Sequence, residues 1–187
     1  MIYIVMGLLA FLLFAAYDIN SVTSKKYIIS SFFFLGSFLL IAATAGIIIE
    51  SFHDIQWHLG WMSIFGIFSL IFLVLLIYTL FFALPFNETY VKSDAIPKVY
   101  QNGFYALCRH PGVLWFMGFY FFLWLTLKIP LLLLAGIIFS CCNVMYVIFQ
   151  DHWTFPRVFD DYNDYKKLTP FIIPTFKSIK RCLQTLQ

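Results

Sequence analysis

Five stretches of the chain contain no Asp, Glu, Lys or Arg, and nothing else restricts the possible folds as much: Met1 to Tyr17, Tyr27 to Ile49, Leu59 to Pro85, Gly112 to Leu127 and Ile129 to Phe149. A bilayer core of ~30 Å takes about 20 apolar residues in helical form, and only helices or closed barrels satisfy every backbone group there. Barrel strands alternate polar and apolar positions, whereas Phe32 to Leu40 does not alternate at all. The runs therefore predict an all-α polytopic membrane bundle with five transmembrane helices. With 62% hydrophobic and 11% charged residues, the chain lies outside the range of a water-soluble globule.

The first run lacks a basic leader and a cleavage site before Asp18, so it is read as a span rather than a signal peptide. As bounded, the spans hold no ionisable carboxylate or cation, which argues against an ion pathway or proton relay. Lysines and arginines favour cytoplasmic loops. Of the twelve basic residues, all but Lys128 fall on one side of a five-span arrangement, which places the N-terminus outside and the C-terminus inside. The expected organisation is a single membrane domain over 1–187, located in a bacterial cell membrane. It comprises three N-terminal spans (1–86), a cytoplasmic interfacial segment (87–111), a helical hairpin (112–150) and a cytoplasmic C-terminal segment (151–187). Ala42, Ala43, Ala45 and Gly46 are small enough to let helices approach closely.

Cys108, Cys141, Cys142 and Cys182 show no metal-ligand spacing and no accompanying histidine pair, so neither a metal site nor a disulfide framework is expected. The net charge of +3 is too segregated to indicate nucleic acid and reads as membrane topology. Membrane lipids are the expected surroundings.

Polar chemistry gathers in two places. Asn102-Gly103-Phe104-Tyr105-Ala106-Leu107-Cys108-Arg109-His110-Pro111 precedes the fourth span, with Asn-Gly marking a turn and Pro111 suited to a first helical position. Arg109 and the helix start would accept an anion such as a carboxylate, although a headgroup anchor explains Arg109 equally well. The second segment begins Gln150-Asp151-His152-Trp153 and continues through Phe155, Phe159, Asp160, Asp161, Tyr162 and Tyr165. Only Lys128, Ile129 and Pro130 join the last two spans. Those spans must form an antiparallel hairpin, and at 1.5 Å per residue Gln150 and Asp151 return to the depth of Arg109 and His110. An aromatic belt at the headgroup level accounts for Trp115, Tyr120, Trp153, Tyr162 and Tyr165 taken singly. A further helix is expected from Asp151 to Tyr165, restarting near Thr154, which could cap a first turn containing Pro156.

In Gly103-Phe104-Tyr105, Arg109-His110-Pro111, Asp151, Tyr162, Tyr165, Pro170 and Pro174, the chain resembles the membrane-embedded methyltransferases typified by isoprenylcysteine carboxyl methyltransferase and phospholipid methyltransferase. The resemblance runs from Gly103 to the C-terminus. It implies an S-adenosylmethionine pocket facing the cytoplasm and methyl transfer to a small lipophilic or lipid-linked acceptor that arrives from the bilayer. On that reading Arg109 and His110 are catalytic, and Tyr105, His110, Pro111, Gln150 and Asp151 contact the cofactor. Where the family commonly has Tyr and Gly after the Arg-His-Pro proline, this chain has Val113 and Trp115. Gln150 and Asp151 stand in place of paired glutamates, and Val158-Phe159 in place of Phe-Gly. Two further readings stay open: a catalytically inactive membrane scaffold or binding protein, and a nicotinamide-dependent membrane reductase, since sterol reductases carry a similar Arg-His-Pro segment.

Overall fold

The computed structural model describes residues 1–24, 26–55, 57–83 and 98–186. Lys25, Pro85, Lys92 and most of the stretch Asn87 to Gly103 lie outside the described residues. The elements in order are α1 (Ile2–Val22), α2 (Tyr27–Ser30), α3 (Phe32–Glu50), a 3₁₀ turn (Phe52–Asp54), α4 (Leu59–Phe81), α5 (Phe104–Leu107), α6 (Pro111–Leu127), α7 (Pro130–Phe149), a π-helical turn (Gln150–Thr154), α8 (Phe155–Val158), α9 (Tyr162–Leu168) and α10 (Phe176–Thr185). There is no strand among the described residues.

Among the described residues, four helices are long and apolar enough to cross a membrane: Ile2–Val22, Tyr27–Glu50, Leu59–Phe81 and Pro130–Val158. The apolar helix α6 is shorter, at 17 residues. Prolines open both α6 and α7, where a missing N–H removes no helical bond. Between them Lys128 takes a left-handed conformation, φ 57°, that ends α6, and the two helices run antiparallel as the two-residue connection of Lys128 and Ile129 requires.

Small residues set the helix spacing. Gly46 of α3 lies against the ring of Tyr3, and Gly7 of α1 against the ring of Phe139, so closely that an added Cβ at either glycine would overlap the ring. Ala43 is fully buried, as its place in the small-residue cluster predicts. The core joins Ile4, Phe11 and Phe14 of α1 to Ile47, Phe116, Leu132 and Phe139 of α3, α6 and α7. Around it, Phe34, Ile41, Ile67 and Met145 each leave more than half their surface uncovered. Apolar side chains exposed on that scale are stable in lipid and unfavourable in water.

The contacts also sort the ends of the bundle. At one end, Lys128 Nζ lies 4.3 Å from the ring centroid of Trp61 at the start of α4, and Trp61 donates to the carbonyl of Leu125 at 2.6 Å. At the opposite end Tyr105 donates to the carbonyl of Thr79 at 3.0 Å, and Gln150 donates to Asp18 at 2.8 Å.

Several boundaries differ from the sequence reading. Helix α1 does not stop at Tyr17 but continues to Val22, carrying Asp18 and Asn20 buried within it. The reason is local: the Asp18 carboxylate accepts from the Gln150 amide, and the Asn20 side chain exchanges two hydrogen bonds with the backbone of Lys26. A candidate membrane helix therefore does carry an acidic residue. Helix α4 ends at Phe81. The Asp151 to Tyr165 segment is not one helix: a π turn leads into α8 with Pro156 in its first turn, and a break at Phe159 to Asp161 precedes α9. Thr154 does not cap α8; its hydroxyl is buried without a hydrogen-bond partner among the described residues.

Candidate functional site

Three segments converge where α6 begins. The glycine at 103 has φ 58° and ψ −132°, a combination that side chains other than glycine's adopt only under strain, and it turns the chain into α5. Cys108 then leaves the helical region in an extended conformation, and the backbone of Arg109 and His110 meets the segment after α9. Arg109 N–H donates to the carbonyl of Pro170 at 2.9 Å and His110 N–H to that of Phe171 at 3.3 Å. The hairpin and the π turn deliver Asp151 to the same point.

Asp151 is 1% exposed and is the hub of the site. Its Oδ1 accepts from the Tyr162 hydroxyl at 2.6 Å and lies 3.4 Å from His110 Nε2 and 3.3 Å from Arg109 Nε. Its Oδ2 lies 3.0 Å from Lys166 Nζ. A carboxylate facing Arg109 and Lys166 only accepts hydrogen bonds, so the His110 tautomer that fits carries its proton on Nε2. Desolvation pulls His110 below its ordinary pKa, and the hydrogen bond to Asp151 opposes that fall. Burial pushes the Tyr162 and Tyr165 hydroxyls well above theirs, so both remain neutral donors. The His110 ring stacks on Phe155 with centroids 5.7 Å apart and meets Phe171 edge-on at 5.2 Å. Arg109 also lies over Phe171, 5.4 Å from its centroid.

The pairing leaves the guanidinium short of partners. Arg109 Nη1 and Nε are both buried with no hydrogen-bond partner among the described residues, and Nε meets Asp151 only as an ion pair at 3.3 Å. Two cations, Arg109 and Lys166, share a single carboxylate, so the cluster carries a surplus positive charge with an unsatisfied donor. Such a donor is unfavourable by about 1 to 3 kcal/mol until an acceptor reaches it.

The residues expected at the site divide. Arg109, His110 and Asp151 come together as the hairpin geometry requires, and Pro111 is the buried first residue of α6. Tyr105 points its hydroxyl at α4 instead, while its carbonyl accepts from Tyr165 at 2.7 Å. Gln150 faces α1, donating to Asp18 at 2.8 Å and to Tyr146 at 2.9 Å. Trp115 packs between Phe72 and Phe104 and donates to Thr79 at 3.0 Å, away from the Asp151 cluster.

A belt at the headgroups does not describe Tyr120, Tyr162 or Tyr165, each 2 or 3% exposed. Tyr120 instead shares a 2.6 Å hydrogen bond with Thr44 inside the bundle. Lys166 and Asp18 are the polar residues that the sequence reading did not single out. Lys166 was legible only as one positive charge among many. Asp18 was hidden by ending the first span one residue too early.

Beside the site, α6 and α7 enclose an apolar cleft of about 510 Å³ lined by Met117, Tyr120, Leu133, Gly136, Cys141 and Met145, among others. Its near end at Met145 is six residues, or roughly 9 Å of helix, from Asp151. No group of His, Cys, Asp or Glu suited to a metal ion occurs among the described residues. No family model matches the chain, and comparison with curated proteins and with solved structures finds no match to either.

Proposed function

We propose that this chain is a five-span membrane protein whose rim site binds S-adenosylmethionine and supports methyl transfer to a lipophilic or lipid-linked acceptor. The observation that carries the reading is the unpaired, buried Nη1 of Arg109, whose missing partner is an anionic oxygen such as a carboxylate. S-adenosylmethionine supplies that carboxylate and an electrophilic methyl group on a sulfonium. The protein's part is orientation: Arg109 holds the carboxylate, and the Phe155 and Phe171 rings around His110 exclude water from the reacting region. His110, neutral with its lone pair on Nδ1 in the tautomer that fits Asp151, takes the acceptor's proton. The cleft between α6 and α7 accommodates the acceptor's apolar tail.

Both oxygens of Asp151 are already engaged, which changes its assignment from a cofactor contact to a positioning residue that fixes Arg109 and His110. The same internal pairing favours a second reading, a scaffold that binds the ligand without turnover.

We infer further that α6 completes a fifth span, because 17 residues reach about 25 Å and lie at the short end of the spanning range. The end bearing Arg109, Arg157, Lys166, Lys167, Lys177, Lys180 and Arg181 then faces the cytoplasm of a multi-pass cell-membrane protein.

Calorimetry on the purified protein tests the function. S-adenosylmethionine binds the parent, Arg109→Gln weakens it about 10- to 100-fold, and methylated product forms from a thiol, carboxylate or amine lipid. Binding without product on any of the three leaves the scaffold reading; no binding at millimolar ligand overturns both.

A further inference from the structure

Helix α10 has three faces rather than two. Ser178 and Cys182 turn inward toward α5, and Arg181 reaches across to the carbonyls of Ala106 (3.1 Å) and Leu168 (3.3 Å) and to the Thr169 hydroxyl. Thr175 caps the helix reciprocally with Ser178, so its start is fixed. Phe176, Ile179 and Leu183 recur at i, i+3 and i+7 on a second face and are 94%, 41% and 68% exposed. Ile173, just upstream, is 80% exposed. Lys177, Lys180 and Gln184 occupy the third face. A ridge of four large apolar side chains is unfavourable in water, so something covers it.

Two observations identify the cover. From Pro170 onward the chain has three basic residues, Lys177, Lys180 and Arg181, and no acidic one. The segment leading into α10 is also pinned to the bundle, since Pro170 and Phe171 accept from the Arg109 and His110 backbone at the very start of α6. Four residues separate Phe171 from Phe176, five steps or at most about 18 Å of extended chain, so α10 lies close to the level at which the bundle meets the headgroups. A second copy of the chain is a poor fit: a ridge of four side chains falls well short of the 20 to 30 residues a stable interface uses on each partner.

We propose that α10 is an interfacial helix that docks on the anionic surface of the same bilayer that holds the bundle. Ile173, Phe176, Ile179 and Leu183 enter the boundary of the acyl chains, and Lys177 and Lys180 contact lipid phosphates. Through Arg181 the docked helix braces the α5 segment that leads to Arg109. This inference is independent of whether the Arg109 site binds S-adenosylmethionine.

Depth-dependent fluorescence on the full-length protein tests it. In a Cys141→Ala/Cys142→Ala background, Phe176→Cys or Gln184→Cys is labelled with an environment-sensitive dye and reconstituted into phosphatidylcholine vesicles with or without phosphatidylglycerol, using lipids brominated near the headgroup as quenchers. The expected result is a blue-shifted, quenched dye at 176 and a water-exposed dye at 184. Quenching at 176 should rise with phosphatidylglycerol and fall with salt. Lys177→Gln/Lys180→Gln should lower the docked-to-undocked ratio about fivefold per lysine. A dye at 176 that stays in water, or is quenched equally in neutral and anionic vesicles, overturns the proposal. Protection at 176 that persists in detergent and grows with protein concentration assigns the ridge to a second copy and overturns it too.

Discussion

Tyr162 donates its hydroxyl to Asp151 at 2.6 Å, although a π turn, α8 and a helix break separate the two residues. The bond folds the chain back on itself and secures a carboxylate that Arg109 and Lys166 share. Tyr162→Phe removes a hydrogen bond to a charged group in a buried setting and should lower unfolding stability by about 1.5 to 3 kcal/mol. Asp151→Asn should cost more, roughly 3 to 5 kcal/mol, because it leaves the Arg109 guanidinium buried without a countercharge. Denaturant titration in a single detergent measures both. A Tyr162→Phe protein as stable as the parent would remove Asp151 from its place at the centre of the site.

Protonation of His110 sets a pH dependence. Burial lowers its pKa in the folded protein below the ordinary 6.5, against the opposing pull of Asp151. A histidine with a depressed folded pKa binds its proton more readily when unfolded, so acid favours unfolding. Its contribution is complete above 6.5 and is lost as pH falls from there through the folded value. The melting temperature should therefore drop between pH 7 and pH 5, and the drop should shrink in His110→Gln. Identical slopes in parent and variant would assign the effect to other groups.

The helical class and the meeting of Arg109, His110 and Asp151 were legible in the sequence because both follow from lengths. Long uncharged runs form long apolar helices, and a short connection must reverse the chain. What followed from particular partners was not legible. Asp18 looks like a residue beyond a span, and the Gln150 amide and Tyr146 hydroxyl on another element explain how it is held within α1. Tyr162 and Tyr165 look like interfacial aromatics by composition, yet their hydroxyls are committed to Asp151 and to the Tyr105 carbonyl. Thr154 has the composition of a cap, but the π turn continues helical backbone through it, so its hydroxyl has no free N–H to meet. Sequence spacing fixes which elements are adjacent and leaves open which side chain each polar group selects.

The four cysteines should separate by reagent. Cys108 is fully buried, and desolvation pushes its thiol up to about 12, leaving almost no thiolate at neutral pH. Cys141 is exposed and lines the apolar cleft between α6 and α7. A lipophilic maleimide in intact membranes should modify Cys141 while Cys108 stays unreacted until the protein is denatured. Fast modification of Cys108 in the native protein would mean that the α5 segment opens to solvent.

The Gly7 contact reports on how α1 meets α7. An added methyl at this position overlaps the ring of Phe139, which is fully buried. Gly7→Ala should therefore destabilise the bundle by about 1 to 3 kcal/mol, and Phe139→Leu in the same chain should recover part of the loss. Additive losses in the double variant would show that the two positions do not touch.

Gln150 and Asp18 form a buried polar pair that ties the turn after α7 to α1. The Gln150 amide donates to Asp18 Oδ2 at 2.8 Å and also to the Tyr146 hydroxyl at 2.9 Å, so it serves as a neutral bridge to a carboxylate that is 5% exposed. Gln150→Glu replaces that donor with an acceptor and sets a second acid against Asp18. One of the two must then be protonated or left unpaired in a buried setting, at a cost of about 1 to 3 kcal/mol. The loss should deepen as pH rises from 6 to 9, because sharing one proton becomes harder. Asp18→Asn alone should cost less, since an amide can still accept from Gln150. In the double variant Asp18→Asn/Gln150→Glu the donor and acceptor exchange sides, and most of the stability and all of the added pH dependence should return. A thermodynamic cycle over the four proteins gives the coupling directly. Coupling below about 0.5 kcal/mol would mean that Gln150 is not matched to Asp18, and its place in the chain would then have to be explained from the Asp151 side of the turn.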